Sequence, residues 1–474
     1  MANYNIFSKR FLKKKKTFSP KEKPILAAIF IFHSCLYFRY QNTHKPKFQK
    51  MEKGKKQDLS VAANPNLGQM IPNLNLILNA NFPSDVISDI LYQLPVKTLV
   101  RFRCVSKRWC SQIDGPDFIK LQLRHSLATQ TNLHVILKKW YLYMVEYESL
   151  QPAIELSAPL KVIWGITEVF GSCNGLVAVC NSENEMALWN PSTRKSQRLP
   201  FEPVEHPGGV ELRRFAFYGF GCDPISEDYK VVRMVQFVAQ DDEGDLVGDD
   251  EDGFFYAEVK VYSLKSNSWR KINDLPYYVR FLFQLNYLLF YRRGYGVFAC
   301  GAVHWVASVG LGLYLIVAFD LGVEKFQNVP LPGVVDNGFE MDVGVLEGRL
   351  CIILNYRHVY VDIWVMKEYG VKESWTKLFK VSADSSLKRP LGHIVPLAYS
   401  KSGDKVLLAV EKRKLFWYNI RKRRAEKVRI EGAPKSFGAD FYMESLVPVG
   451  RDGMDQRRRQ QPQGEMKKIY RKRM

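Results

Sequence analysis

The chain has 474 residues, enough for two or three domains, and its hydrophobic content of 46% is ordinary for a globular protein. The formal net charge of +21 at pH 7 comes mostly from the two ends. Residues 1–60 hold 15 Lys/Arg against 3 Asp/Glu, and residues 451–474 hold 9 against 3, which leaves +3 for residues 61–450. A nearly neutral middle excludes a strongly basic folded surface, so the charge does not indicate a specific nucleic-acid partner.

The beginning of the chain combines a basic run, Lys13–Lys16, with an apolar run, Ile25–Phe38. The apolar run is short for a membrane span, and no small-residue cleavage site follows it as in a secretory signal. Three interpretations stay open: a non-native extension with translation starting at Met51 or Met70, a disordered basic tail, or a membrane anchor. We predict that residues 1–78 form a disordered extension ending in a linker, and we do not expect a membrane partner.

A helical segment follows over residues 82–123. Pro83 suits the first turn of a helix, Pro95 ends that helix and begins the next, and Asp114-Gly115-Pro116 predicts a turn. A unit of roughly 40 residues without a disulfide or metal rarely buries enough apolar surface to stand alone. Its surplus apolar side chains should therefore face another protein or another part of the chain. The apolar residues, which recur at one-turn spacing, are Val86, Ile87, Ile90, Leu91, Leu94, Leu99, Phe102, Val105 and Trp109.

These residues resemble an F-box, the motif by which substrate receptors bind the Skp-type adaptor of SCF ubiquitin ligases. The resemblance lies in Phe82-Pro83, Ile90-Leu91, Leu94-Pro95-Val96-Lys97, Arg101 to Val105, and Trp109. Phe82 stands where the family usually has Leu. We predict an F-box over residues 79–125. The resemblance implies that the adaptor, and through it a cullin, is bound by Pro83, Ile87, Ile90, Leu91, Leu94, Pro95, Leu99, Val105 and Trp109.

Beyond Leu123 the pattern changes to short runs of Val, Ile, Phe, Tyr and Trp separated by Gly, Pro, Asn and Asp. In a recurring unit, a Gly-containing hairpin precedes a strand that ends near Asp, Asn or Ser, and a shorter strand follows. Small antiparallel sheets of this kind bury one another as blades around an axis, which favours a β-propeller over a two-sheet sandwich. The strands that follow the hairpins align on Trp189, Tyr262, Phe319, Trp364 and Tyr418, at irregular steps of 45 to 73 residues.

The same region resembles the F-box-associated domain of plant F-box proteins, often described as kelch-like, although the Gly-Gly pair of a kelch repeat is absent. We predict an antiparallel β-propeller-like domain over residues 130–449 and a basic disordered tail over residues 450–474. The fold class is therefore mixed, with a short helical F-box followed by an all-β domain. The matching residues are Gly171 to Leu176, Leu188 to Arg194, Tyr218 to Pro224, Asp228 to Val232, Val261-Tyr262-Ser263 with Trp269, His304-Trp305, and Glu444 to Pro448.

The sequence contains no recognisable catalytic motif. It lacks a phosphate loop, a Gly-x-Ser-x-Gly elbow and a His-Glu-x-x-His pair. Gly219-Phe-Gly221 and Gly294-Tyr-Gly296 lack the third glycine of a dinucleotide loop. We interpret His304, in an apolar strand, as a core residue, and we see no partner for His206 or His393.

Two further clusters have ordinary explanations. Asp241–Asp252 holds eight carboxylates without the spacing of a calcium loop, so we expect a solvated hairpin loop. The cysteines form no Cys-x-x-Cys pair or Cys/His cluster, so we expect no metal, no other cofactor, and buried thiols in a reducing compartment. These cysteines are Cys35, Cys104, Cys110, Cys173, Cys180, Cys222, Cys300 and Cys351.

The sequence thus predicts a non-catalytic substrate-recognition subunit of an SCF-type ubiquitin ligase, with an unknown target protein on the β domain. A second possibility is a ligand- or glycan-sensing propeller acting outside a ligase. A third is a propeller hydrolase with acids clustered on its axis. The basic runs Arg421–Arg424, Arg457–Arg459 and Arg471–Arg473 allow nuclear entry, so we expect the protein in the cytoplasm and/or nucleus.

Overall fold

The computed structural model divides into two compact units, Met1–Ala128 and Thr129–Met474. The predicted N-terminal extension, the Asp241–Asp252 loop and the predicted tail from residue 451 lie outside the described residues. The described residues are 88–89, 91–160, 167–181, 184–205, 212–239, 255–272, 280–281, 294–309, 313–333, 338–383, 387, 391–411 and 414–450.

The described part of the first unit is helical. A helical turn, closed by a 3.0 Å hydrogen bond from the Tyr92 amide to the Ser88 carbonyl, is followed by three helices. As predicted, Pro95 immediately precedes the first of them and a turn separates the second from the third. These helices are α1 (Val96–Phe102), α2 (Lys107–Ile113) and α3 (Pro116–Thr129).

Helix α3 continues to Thr129, beyond the predicted limit of the F-box at residue 125. Its last turns are held by polar and aromatic contacts that an apolar repeat does not reveal. The buried Gln122 amide donates to the Ser126 hydroxyl at 3.0 Å, and the His125 ring lies 5.0 Å from the Tyr92 ring. The loss of apolar periodicity after Leu123 was therefore not the end of the helix.

The second unit is a six-bladed antiparallel β-propeller within the described residues, which confirms the predicted fold class. Blade 1 combines β1 (Leu133–Lys138), β2 (Leu142–Glu146) and β3 (Ile154–Leu156) with β25 (Gly438–Met443). Blade 2 is β4 (Glu168–Cys173), β5 (Leu176–Cys180), β6 (Met186–Asn190) and β7 (Lys195–Arg198). Blade 3 is β8 (Leu212–Asp223), β9 (Asp228–Ala239), β10 (Phe255–Ser263) and β11 (Ser268–Ile272).

The other three blades follow in chain order. Blade 4 is β12 (Arg280–Phe281), β13 (Val297–Ala299), β14 (Ala302–Val309), β15 (Leu313–Asp320) and β16 (Lys325–Val329), with β12 and β13 both paired to β14. Blade 5 is β17 (Glu340–Leu346), β18 (Arg349–Tyr356), β19 (Tyr360–Met366) and β20 (Trp375–Ser382). Blade 6 is β21 (Ile394–Tyr399), β22 (Lys405–Val410), β23 (Lys414–Asn419) and β24 (Arg424–Lys427).

The ring closes through blade 1, whose innermost strand comes from the end of the chain. Strand β25 pairs with β1 from Leu133↔Met443 to Lys138↔Gly438. Around the axis, the innermost strands β25, β4, β8, β13, β17 and β21 each lie beside the next, and β21 returns to β25. The apolar core lies between blades; for example, Phe217 and Val261 of blade 3 pack with Val303 and Phe319 of blade 4.

The repeat identified in the sequence is confirmed strand by strand. Trp189, Tyr262, Phe319, Trp364 and Tyr418 lie on β6, β10, β15, β19 and β23, the strand before the outermost one in blades 2 to 6. The predicted Gly hairpins are also present. At the β4–β5 turn, Asn174 and Gly175 have φ values of 52° and 80°, the left-handed conformations that a tight two-residue hairpin needs.

Antiparallel strands place the chain reversals on two opposite faces of the propeller. We count the strands of each blade outward from the axis, so that β25 is the first strand of blade 1. The turn face is the side that carries the turns between first and second strands and between third and fourth strands. The connection face carries the turns between second and third strands and the segments that lead to the next blade. The chain enters blade 1 at Leu133 and leaves it at Met443 on the turn face.

Candidate functional site

The interior of the helical unit contains residues from all three helices. Leu91, Leu99 and Ile113 have no solvent exposure, and Phe102 and Phe118 are buried with them. Leu91 and Leu99, both predicted to contact an adaptor, are therefore interior residues in this structure. Neither side chain has surface available for direct contact, so their adaptor role stays a prediction, and their burial favours a role in packing.

Four other predicted contact residues are accessible, and we name them the apolar rim. Pro95 is exposed, and Leu94, Val105 and Trp109 are half-buried. They lie just before α1, just after α1 and in the first turn of α2. The remaining three predicted residues, Pro83, Ile87 and Ile90, lie outside the described residues.

Trp109 is the best positioned residue of the rim. The Ser106 hydroxyl caps α2 by accepting from the Trp109 amide at 3.1 Å, and the Trp109 ring lies 5.3 Å from the Phe102 ring. At the other end of α2, the Arg103 guanidinium donates to the Asp114 carboxylate at 2.7 Å. A fixed helix carrying a half-exposed indole is the kind of anchor that protein interfaces use.

In the propeller, the strand ends with Asp or Asn noted in the sequence are side-chain-capped turns. The side-chain oxygen Oδ1 of Asn190 accepts from the Ser192 and Thr193 amides at 2.9 and 3.2 Å. The Asp320 carboxylate accepts in the same way from the Gly322 and Val323 amides. The fully buried Asn190 also donates to the Ser445 and Val447 carbonyls at 3.1 and 2.8 Å. Asn190 therefore ties the C-terminal segment to blade 2, a role that the sequence did not reveal.

The two Gly-x-Gly motifs are packing features of blades 3 and 4. Gly294-Tyr295-Gly296, which we name the strap, pairs in parallel with β8. The Tyr218 amide donates to the Gly294 carbonyl at 2.7 Å, and the Gly296 amide donates to the Tyr218 carbonyl at 2.8 Å. The Tyr295 hydroxyl donates to the Glu168 carboxylate of blade 2. The strap thus links three consecutive blades, and neither motif begins a helix.

A buried lysine joins the turns of blades 3 and 4. The Lys230 ammonium lies 3.0 Å from Asp223 and 2.8 Å from Glu324, and donates to the Leu321 carbonyl at 2.5 Å. Burial alone would raise the pKa of Asp223, but hydrogen bonds from Ser226, the Ile225 amide and Lys230 outweigh it and lower the pKa to about 2. This network fixes the turn face and needs no ligand to balance its charges.

The histidines have structural partners. His304 is fully buried, as predicted for a core residue, and its Nε2 lies 2.7 Å from the Tyr369 hydroxyl. His393 was thought to lack a partner, but its Nε2 lies 2.5 Å from Asp342, on a strand of the preceding blade. His206 lies outside the described residues.

The prediction of uniformly buried thiols is wrong for four of the seven described cysteines. Cys104 and Cys300 are exposed and lie at turns, whereas Cys110 on α2 and Cys222 near the end of β8 are half-buried. Cys173, Cys180 and Cys351 are buried in strands, and burial raises the pKa of Cys180 to about 12. Cys35 is outside the described part of the chain.

Neither a metal-binding cluster nor a membrane-spanning helix is found among the described residues. No group of three or more His, Cys, Asp or Glu side chains in that part of the chain is arranged to hold a metal ion. Within the same residues, no helix has both the length and the apolar character needed to cross a membrane. The apolar run Ile25–Phe38 lies outside them.

A short helical unit with an apolar rim, followed by a six-bladed propeller, defines an F-box protein with a propeller-type recognition domain. Two family models match accordingly: "F-box domain" over residues 80–121 and "F-box associated beta propeller domain" over residues 143–448. The chain belongs to the family of F-box proteins that carry the F-box-associated β-propeller domain.

Similar proteins from Arabidopsis thaliana agree with this assignment. F-box protein CPR1 is 44% identical over 376 residues, which cover 78% of this chain and 89% of that protein. F-box protein At4g22390 is 35% identical over 378 residues, which cover 78% of this chain and 90% of that protein. A solved oligogalacturonate lyase in complex with manganese aligns at 9% identity with a TM-score of 0.33, over 62% of this chain and 72% of the lyase, which is too little for any conclusion.

Proposed function

We propose that this protein is the substrate-recognition subunit of an SCF-type ubiquitin ligase. Its helical unit binds a Skp-type adaptor, and through it a cullin, while its propeller binds a target protein for ubiquitination and degradation. Membership of the F-box family, with an F-box ahead of a propeller, supports this division of roles. The chain itself performs no bond-making chemistry and acts by raising the local concentration of target lysines near the conjugating enzyme.

The observation that carries the adaptor side of the proposal is the apolar rim. Leu94, Pro95, Val105 and Trp109 remain partly accessible although the helical unit has a closed interior. Apolar and aromatic side chains held on short helices are suited to packing against helices of a partner. The rim therefore supports the predicted adaptor contact by these four residues.

The target is assigned to the connection face of the propeller. Most turns of the turn face are two to five residues long and hydrogen-bonded internally, although the connections 147–153 and 367–374 are longer, and the chain enters and leaves the ring there. The strand ends that flank the longest connections, Arg198 and Leu212 in one case and Ala239 and Phe255 in the other, lie on the connection face. Long segments on a rigid scaffold commonly carry recognition, which supports a target site on this face.

The double variant Leu94→Asp/Val105→Asp tests the adaptor contact. Two carboxylates that cannot be solvated in an interface cost several kcal/mol, so adaptor affinity is expected to fall by at least about tenfold. The measurement is titration of the purified full-length chain with the Skp-type adaptor. Leu121→Asp, at a position 42% exposed on α3, is the matched control and is expected to bind normally.

Adaptor affinity of the double variant within about twofold of the wild type would contradict the assigned rim. If the unmodified chain also fails to bind the adaptor, a ligand- or glycan-sensing propeller outside a ligase becomes the better explanation.

In cell fractionation, the adaptor complex is expected in the cytoplasm and/or nucleus. The exposed run Arg421–Arg424 supports nuclear access.

A further inference from the structure

The β1–β2 turn of blade 1 presents two large aromatic side chains to solvent on the connection face. Trp140 is 63% exposed and Tyr141 is 61% exposed. Phe201, also exposed, lies on the same face, whereas the exposed side chains of Ile225 and Val323 lie in turns of the turn face. Aromatic side chains in a strand-rich region are usually buried, so the exposure of Trp140 and Tyr141 is not apparent from the sequence.

The base of this turn is rigid. Leu137 and Leu142, at the ends of the two strands, are 0% and 1% exposed. The Lys139 amide donates to the Tyr141 carbonyl at 3.2 Å across the turn, and Lys138 forms an ion pair with Asp440 of β25. Trp and Tyr have few rotatable bonds, so fixing them in a complex costs little conformational entropy.

We propose that Trp140 and Tyr141 form an anchor that inserts into an apolar pocket of the target protein, a pocket bordered by carboxylates. This inference rests on the proposed function. A projecting turn has no groove of its own, so the partner must supply the concave surface. Residues 138–141 carry two lysines and no carboxylate, and Lys138 is paired with Asp440, so the second lysine, Lys139, gives the tip a positive charge that is complementary to an acidic rim.

The match to the propeller family model begins at residue 143, so it does not include Trp140 or Tyr141. Trp and Tyr are the residue types most often found at interface hot spots, where a few side chains carry most of the affinity. A pair of them on one fixed turn is therefore expected to dominate target binding.

The test uses the full-length chain co-expressed with the Skp-type adaptor, with the photocrosslinking residue benzoylphenylalanine at position 140. The matched position is 225, which is 80% exposed on the opposite face. Position 140 is expected to crosslink a protein distinct from this chain and from the ligase subunits, and position 225 is not. The crosslinked protein is then purified and its affinity for the chain is measured directly.

In that binding measurement, Trp140→Ala/Tyr141→Ala is expected to weaken binding by at least about tenfold, and Ile225→Ser/Val323→Ser by less than about twofold. Lys139→Gln is expected to reduce the salt dependence of the affinity. Both double variants change exposed side chains and are expected to keep the wild-type unfolding temperature.

The inference is overturned if position 140 crosslinks nothing or only a second copy of the chain, or if the aromatic double variant binds the purified target normally. Adaptor binding, measured on the same samples, separates this result from failure of the proposed function. Benzoylphenylalanine is also placed at Phe201 and at Val359, two other exposed positions on the connection face. An intact adaptor complex that crosslinks a target only from these positions would reject the anchor and keep the ligase role.

Discussion

At the level of single residues, His304 is a titratable group buried in the interior of the propeller. The side chain has no solvent exposure, and its two ring nitrogens lie 3.3 Å from the Val297 carbonyl and 2.7 Å from the Tyr369 hydroxyl. Burial lowers the pKa of His304 from 6.5 to about 4. Burial raises the pKa of Tyr369 to about 12, so the tyrosine stays neutral wherever the histidine titrates.

This burial predicts a loss of stability on acidification. Between pH 6.5 and pH 4 the unfolded chain binds a proton at His304 that the folded chain does not, so the free energy of unfolding falls as the pH falls through this window. The contribution of His304 to that loss is about 3 kcal/mol at pH 4. The measurement is the free energy of unfolding against pH for the wild type and for His304→Gln, which cannot titrate.

The His304→Gln profile is expected to be flatter than the wild-type profile below pH 6.5, and the two are expected to run parallel above it. Equal slopes through the whole window would show that His304 is not held neutral. Comparing the two proteins removes the titration of carboxylates, which both share.

A residue's partner is harder to foresee than its burial. The apolar strand around His304 was sufficient to predict a core histidine. His393 was expected to have no partner, yet it contacts Asp342, which lies 51 positions earlier and in another blade. The packing of blade 5 against blade 6 brings these two residues together, so no local pattern could have paired them.

At the scale of elements, the strap illustrates why a motif needs its structural context. Gly296 lies so close to blade 4 that an added Cβ would meet both Trp305 Cε2 and Val303 Cγ1 at 2.5 Å. Any side chain larger than hydrogen at that position would push the strap away from β14. The glycine thus serves close packing of strands, and the resemblance to a dinucleotide loop ends at its spacing.

Gly296→Ala is expected to destabilise the propeller by roughly 1–3 kcal/mol, because it overpacks a fixed contact. Gly333→Ala is the matched control, since an added Cβ there meets nothing nearer than Lys372 Cε at 3.9 Å. Chemical denaturation of the two variants and the wild type measures the difference. Equal stability of Gly296→Ala and Gly333→Ala would mean that the strap can move without cost.

Elements with a local cause were predictable from the sequence. The β4–β6 and β13–β15 regions were identified from their hairpin glycines and from the Asn or Asp near the end of β6 and β15. The end of α3 was not, because its last turns bury polar groups, such as the hydrogen-bonded Gln122 and Ser126, that interrupt the apolar pattern. The apolar rim was predicted from a family resemblance, but the burial of Leu91 and Leu99 could not be, since it depends on how the helices pack.

At the scale of the whole molecule, the sequence left the number of blades open for a physical reason. Blades 2 to 6 are contiguous in the chain and appear as a repeat. Blade 1 is assembled from residues 133–156 and from 438–443, nearly the full length of the propeller apart. Such a shared blade joins the two ends of the ring in one sheet, so the ring is closed by backbone hydrogen bonds and opens only when they break.

The segment after β25 strengthens this closure, and Asn190 provides its test. Asn190→Ala removes two hydrogen bonds to the Ser445 and Val447 carbonyls and leaves both buried acceptors without that partner. The expected cost in the free energy of unfolding is about 2–4 kcal/mol.

Asn419→Ala is the matched control, because Asn419 ends the corresponding strand of blade 6. Its side chain accepts from the Lys422 amide at 2.8 Å and contacts no C-terminal residue in its described hydrogen bonds. In chemical denaturation, the free energy of unfolding of Asn419→Ala is expected to exceed that of Asn190→Ala by at least about 1 kcal/mol. Only Asn190→Ala loses the bonds to the C-terminal segment as well as those of the turn, at ~1 kcal/mol per bond. Equal losses in the two variants would show that the C-terminal segment adds nothing to the β1–β25 pairing.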